Sequence, residues 1–193
     1  MWKRKHEFRP DKTGSGWLAQ LYITRQQRAR LLRWGLYCAA LVLLSLLQDV
    51  IFCRVRIYGA TTDLVAAGIF LLCMMLPTDS AAIFTLLAAV IYYFSGSAAG
   101  PYSILFVTGL GILINILRSS YLRKSFSAAW LSAGVAVLAY ELLVFVTGIF
   151  LGHTHLSRLP GFMITAGLTV AVMPVLYPVF LRIDRIGGES WKE

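Results

Sequence analysis

An all-α, polytopic membrane protein with six transmembrane helices is the architecture this sequence predicts. Three observations predict it. Apolar residues make up 58% of the 193 residues and charged ones only 14%, against ~45–50% and ~25% in a soluble domain. So many apolar side chains cannot be hidden in a soluble core of this size while so few charges cover its surface. The apolar residues also gather into six stretches. Finally, the 18 lysines and arginines fall almost entirely on alternate connections between those stretches. A disordered chain is excluded, an ordinary soluble domain is not expected, and one membrane domain is the sensible count.

Residues 1–30 are a basic tail carrying Lys3, Arg4, Lys5, Arg9, Lys12, Arg25, Arg28 and Arg30. Within it Trp17, Leu18, Leu21 and Tyr22 share one side of a helix, with Arg25 and Arg28 beyond. Residues 16–30 therefore either lie on the inner leaflet, held by anionic lipid, or simply extend the first span. That span, 31–52, is too long for the apolar part of a signal peptide. Its end, Gln48-Asp49-Val50-Ile51-Phe52-Cys53, has no small-residue cleavage site. An uncleaved span is expected.

The later stretches are 62–76, 81–94, 101–117, 127–151 and 159–181, followed by a short tail, 182–193. The first, fifth and sixth spans have the ~20 residues that cross a ~30 Å hydrocarbon core. The second and third are short. They must borrow flanking residues, thin the bilayer, or form a re-entrant pair. Six crossings are favoured because a helix satisfies its own backbone in lipid. In the fifth span Ser132 with Ala136, and Ala129 with Ala133, permit close helix approach. Pro174 and Pro178 are expected to kink the last span.

Orientation follows from charge. Only Arg54, Arg56 and Arg158 fall on the side opposite the N-terminus. The other Lys and Arg residues put both termini in the cytoplasm. Trp34, Tyr37, Tyr92, Tyr93, Phe94, Tyr102 and Trp130 stand near span ends, where an interfacial aromatic belt is expected. The basic charge needs no nucleic acid to explain it.

Candidate chemistry is sparse. His153 and His155 flank Thr154 in one loop, but zinc wants three or four ligands and none is near in sequence. No metal or other cofactor is expected. Cys38, Cys53 and Cys73 lack metal or redox spacing and read as buried free thiols. No nucleophile–base arrangement, P-loop or dinucleotide fingerprint is placed for catalysis, so an enzyme is not expected. Asp49 ends the first span and Asp63 begins the second, where an acid serves as N-cap. Arg54 and Arg56 stand close enough in sequence to pair with either acid. Glu141 lies near the middle of the fifth span, with Thr108 and Thr169 at matching depth. A buried acid there either forms an ion or substrate site or fixes helix packing through hydrogen bonds, and packing is the expectation.

Three segments in order resemble one bacterial family, the rod-shape-determining membrane protein MreD. They are Leu46-Leu47-Gln48 ending span one; Gly59-Ala60-Thr61-Thr62-Asp63-Leu64; and Phe94-Ser95-Gly96-Ser97-Ala98-Ala99-Gly100-Pro101-Tyr102. The second is similar to the family's Gly followed by Pro-Asp-Leu, with Thr62 in the place of proline. The third is similar to its Ser-Gly-Ser turn with a following Gly and Tyr. Tyr92 stands where many members carry a second Asp, so no role of that acid carries over. The resemblance covers about residues 31–181. It implies a non-enzymatic scaffold of the cell-elongation machinery in the bacterial plasma membrane. Its implied partners are an MreC-like single-span protein and, through it, MreB, RodA and a class B penicillin-binding transpeptidase. Gly59, Asp63, Ser95, Gly96, Ser97, Gly100 and Tyr102 are the implied motif residues. The implied fold is similar to the S-component of energy-coupling-factor transporters. That likeness raises an alternative, a vitamin-binding transporter subunit, which needs a concave pocket with convergent polar groups. For such a pocket the sequence offers mainly Gln48, Asp49, Asp63, Tyr92, Tyr93 and Tyr102.

Overall fold

A computed structural model describes residues 25–121 and 125–186. The expected surface helix over 16–30 lies mostly outside the described residues. Among these residues the chain is helical without strands, apart from one isolated bridge between Ile57 and Ala60. Helix α1 spans Arg25–Leu47 and runs on as a π-helical turn, Gln48–Phe52. Then come α2 (Leu64–Met75), α3 (Thr78–Phe94), α4 (Tyr102–Tyr121), α5 (Phe126–Phe150) and α6 (Leu159–Arg185), the last entered through a short 3-10 turn, Leu156–Arg158. The α1 run, α4, α5 and α6 are each long and apolar enough to cross a membrane, and α2 and α3 are shorter apolar helices. The end of the bundle carrying the 53–63 and 151–158 connections is called distal below, the opposite end proximal.

The short second helix is the centre of the molecule. All 12 residues of α2 are buried, and it packs against every other helix. An apolar helix without a polar face belongs inside a larger body. At 1.5 Å per residue it is only about 18 Å long, so both of its ends stop inside protein. Unpaired backbone groups there would be expensive in an apolar setting. Neighbouring helices supply the partners. At the proximal end Asn115 Nδ2 donates to the carbonyls of Cys73 and Leu76, the latter at 3.0 Å, and Arg118 donates to the Leu76 carbonyl at 3.2 Å.

Helix α1 shows how the outer helices are divided. Tyr37, Leu41 and Leu44 are buried against the core, while Leu43, Leu46 and Val50 are exposed. The exposed side is apolar as well, as suits contact with lipid. Near the proximal end Tyr37 Oη donates to Asp184 Oδ1 at 3.0 Å, and Arg33 forms an ion pair with the same oxygen at 3.5 Å. These contacts clamp α1 to α6.

Helix α6 runs to Arg185, past the apolar stretch 159–181, carries Pro174 and Pro178 in its interior, and buries Asp184. Two expectations need correction. Cys73 is buried, but Cys38 and Cys53 are exposed, and all three thiols are free. Tyr37 and Tyr92 do not belong to an interfacial belt: both are fully buried, because each phenol hydroxyl meets an aspartate inside the bundle.

Candidate functional site

The sequence makes α2 and α3 short, and this shapes the distal end. The backbone N–H of Asp63 donates to Thr169 Oγ1 at 2.9 Å. Thr169 lies about 15 Å along α6 from its first residue, at ~1.5 Å per residue. The Tyr140 hydroxyl donates to that of Tyr92 at 3.3 Å, and α5 extends about 15 Å beyond that level. Helices α5 and α6 thus overtop α2 and α3. The space left is a cavity of about 830 Å³, within the ~300–1,000 Å³ of small-molecule sites.

Its floor is the start of α2. Asp63 is the N-cap: its Oδ1 accepts from the Ala66 N–H at 3.0 Å, and its Oδ2 accepts from the Tyr92 hydroxyl. Gln48, from the π-helical turn of α1, accepts from the Val65 N–H at 3.0 Å. Four elements therefore close one helix terminus. The N-cap role expected of Asp63 is what the structure has. Pairing with Arg54 or Arg56 is not, because the carboxylate is taken up by these two donors.

The chain reaches this floor through a tight turn in which Tyr58 and Gly59 have φ of 54° and 80°. The left-handed backbone suits Gly59 and is uncommon for Tyr58, whose ring stands almost fully exposed. The connection after α3 also turns through positive φ, at Gly96 (77°). Ser95 Oγ donates to the Tyr92 carbonyl at 2.8 Å, and Ser97 Oγ donates to Asp49 Oδ1 at 3.0 Å. Asp49 is thereby tied to this turn. Gly100 does not have a positive φ; a Cβ there would come within 2.6 Å of the Tyr102 ring. Tyr102 itself donates to the Ala99 carbonyl at 3.2 Å and stacks obliquely on Phe106.

The structure thus joins Gln48, Asp49, Gly59, Asp63 and the 95–97 turn at the distal end, with Gln48, Gly59, Asp63 and Ser97 lining the cavity. Gly96, Gly100 and Tyr102 lie outside its lining. Glu141 behaves differently from expectation. It is buried and lines the cavity, but among the described residues its side chain makes no hydrogen bond or ion pair. Thr169, expected as its polar neighbour, serves Asp63 instead, and Thr108 Oγ1 is buried without a partner among the described residues. Packing through a hydrogen-bonded Glu141 is therefore not what the structure contains.

Sequence reasoning missed Tyr140, Thr165, Ser157 and Arg158 as members of this cavity. Two signals were present: a tyrosine beside the acid of a central span, and hydroxyls at Thr165 and Thr169 on one face of the last span. Among the described residues no group of three or more His, Cys, Asp or Glu is gathered as a metal site, and His153 and His155 are exposed in whole or part. Comparison with family models, curated proteins and solved structures finds no match to this chain.

Proposed function

We propose that this chain is a non-enzymatic scaffold of the bacterial cell-elongation machinery, with six crossings of the plasma membrane, both termini cytoplasmic and an S-component-like helix arrangement. Its direct partner is an MreC-like single-span protein; MreB, RodA and a class B penicillin-binding transpeptidase follow indirectly. One observation carries this reading: the three segments that resemble MreD meet at one place. Gln48 binds the start of α2, Asp49 binds Ser97, and Asp63 sits between them. Segments far apart in sequence that converge on one helix end act as a unit. Helix association in lipid relies on close packing and a few interhelical hydrogen bonds, so a unit that fixes the distal ends of four helices also fixes the surface a partner helix would meet.

The test is co-purification in detergent of the full chain with its cognate MreC-like protein. Recovery of the complex, weakened by Asp63→Ala, supports the scaffold. A second reading is favoured by the cavity: the substrate-binding S-component of a vitamin transporter. Recovery of a transporter ATPase instead of the MreC-like protein would replace the first reading with the second.

A further inference from the structure

A buried carboxylate is normally met by donors, since an uncompensated buried charge is costly. Glu141 is only 6% exposed and, among the described residues, has no protein partner. The one other acid lining the cavity, Asp63, already accepts from the Ala66 N–H and the Tyr92 hydroxyl. Glu141 therefore presents unused acceptor capacity to the cavity interior. The Tyr140 and Tyr92 side chains border the same space, and aromatic faces attract cations. At the rim, Arg158 lines the cavity from the turn that precedes α6 and is exposed. Among the described residues it has no carboxylate partner. An acid at depth and a guanidinium at the mouth form a dipolar site.

We propose that the distal cavity binds a small zwitterion, its ammonium group seated on Glu141 and its anionic group facing Arg158. The ammonium would supply the charge-assisted donors Glu141 lacks, and a phosphate or carboxylate matches the guanidinium fork. Val144, Phe162 and Ile164 leave apolar wall for the linking carbons. The chemistry is shared by a phospholipid headgroup and by a free solute. The inference rests on the cavity alone and stands under either reading above, so success or failure of partner capture leaves it unaffected.

The experiment titrates the purified full chain in detergent with O-phosphoethanolamine, with dihexanoyl phosphatidylethanolamine, with the matching phosphatidylglycerol and with inorganic phosphate, reading the thermal unfolding midpoint. Both amine-bearing probes, or one of them, should raise the midpoint saturably, while phosphatidylglycerol and phosphate do not. Glu141→Gln keeps the side chain's shape and should weaken amine binding about tenfold or more, the usual loss for a charge-assisted hydrogen bond. Arg158→Gln, at an exposed position, should weaken O-phosphoethanolamine binding, and serves if Glu141→Gln fails to fold. A response confined to the lipid assigns a headgroup; a response to both probes at equal affinity assigns a free solute. Absence of a saturable response to either amine probe, equal binding by phosphate alone, or full binding by both variants overturns the proposal.

Discussion

Replacing Asp63 separates its capping role from its charge. The side chain accepts from Ala66 N–H and from the Tyr92 hydroxyl, and it is buried. Asp63→Ala removes the cap, a loss of about 1 kcal/mol. It also strips Tyr92 of its acceptor, a further loss of about 1–3 kcal/mol. The Tyr140 hydroxyl remains beside Tyr92 at 3.3 Å, so the lower half of that range applies. A total of about 2–3 kcal/mol follows, or roughly 5–10 °C in unfolding midpoint for a chain of this size. Asparagine caps as well as aspartate, and its amide can donate to the tyrosine oxygen, so Asp63→Asn should lose about 1 kcal/mol or less. Tyr92→Phe alone should fall between the two. The double variant Asp63→Ala/Tyr92→Phe should lose less than the sum, because phenylalanine leaves no orphaned hydroxyl. Thermal unfolding monitored by size exclusion in one detergent measures all four. If Asp63→Asn is as damaging as Asp63→Ala, or if the double variant is additive, the carboxylate acts through its charge and the capping argument is wrong.

Other expectations follow from the same contacts. Cysteines introduced as Ser15→Cys and Glu189→Cys should resist an impermeant thiol reagent in intact cells; the exposed native Cys53 should label and serves as the positive control, and labelling of either introduced thiol would sink the six-span topology. Gly96→Val forces a branched side chain into positive φ and should lower folded yield in membranes more than Ser97→Ala, which loses an exposed hydrogen bond to Asp49 and a longer one from Ser95; equal yields would show that the turn does not need glycine. Arg33 and Asp184 form a buried ion pair and Tyr37 donates to the same carboxylate, so Asp184→Leu should lose about 3–5 kcal/mol by stranding the guanidinium and the tyrosine hydroxyl, while Arg33→Met/Asp184→Leu recovers the part owed to the guanidinium; a double variant no more stable than the single would show that the ion pair contributes by attraction alone.

Much of the fold was legible because its causes are local. Length and apolar runs located the described helices, with α1 starting earlier and α4 and α6 ending later than the apolar stretches, and Asp63 announced the start of α2 by type and position. What stayed hidden depends on depth and rotation, which apolar periodicity encodes weakly when lipid-facing and core-facing residues are equally apolar. Tyr37 and Tyr92 read as interfacial by position along the chain, yet their hydroxyls are consumed by Asp184 and Asp63. Asp184 falls within 182–193, read as a tail, yet it is buried. Thr169 was paired with Glu141 by depth alone, but helix rotation turns it to the Asp63 N–H. The cavity was illegible for the same reason: it arises from differences in helix length around a common level, and no single segment carries that information.

The sealed ends of α2 also set an order of events during synthesis. Asn115 lies 42 residues beyond Cys73, and Thr169 lies 106 residues beyond Asp63. At ~5–20 residues per second, the carbonyl end waits about 2–8 s for its donor and the N–H end about 5–20 s for its acceptor. Until then a short, apolar helix leaves the translocon with its carbonyl end open and the Asp63 N–H without its acceptor, covered by α1 and α3. A chain truncated after residue 158 never receives Thr169, and pulse–chase labelling should show it cleared from membranes faster than the full chain. The last described helix to be made thus supplies the acceptor for a backbone N–H made 106 residues earlier, and a chain stalled before α6 carries that group unpaired.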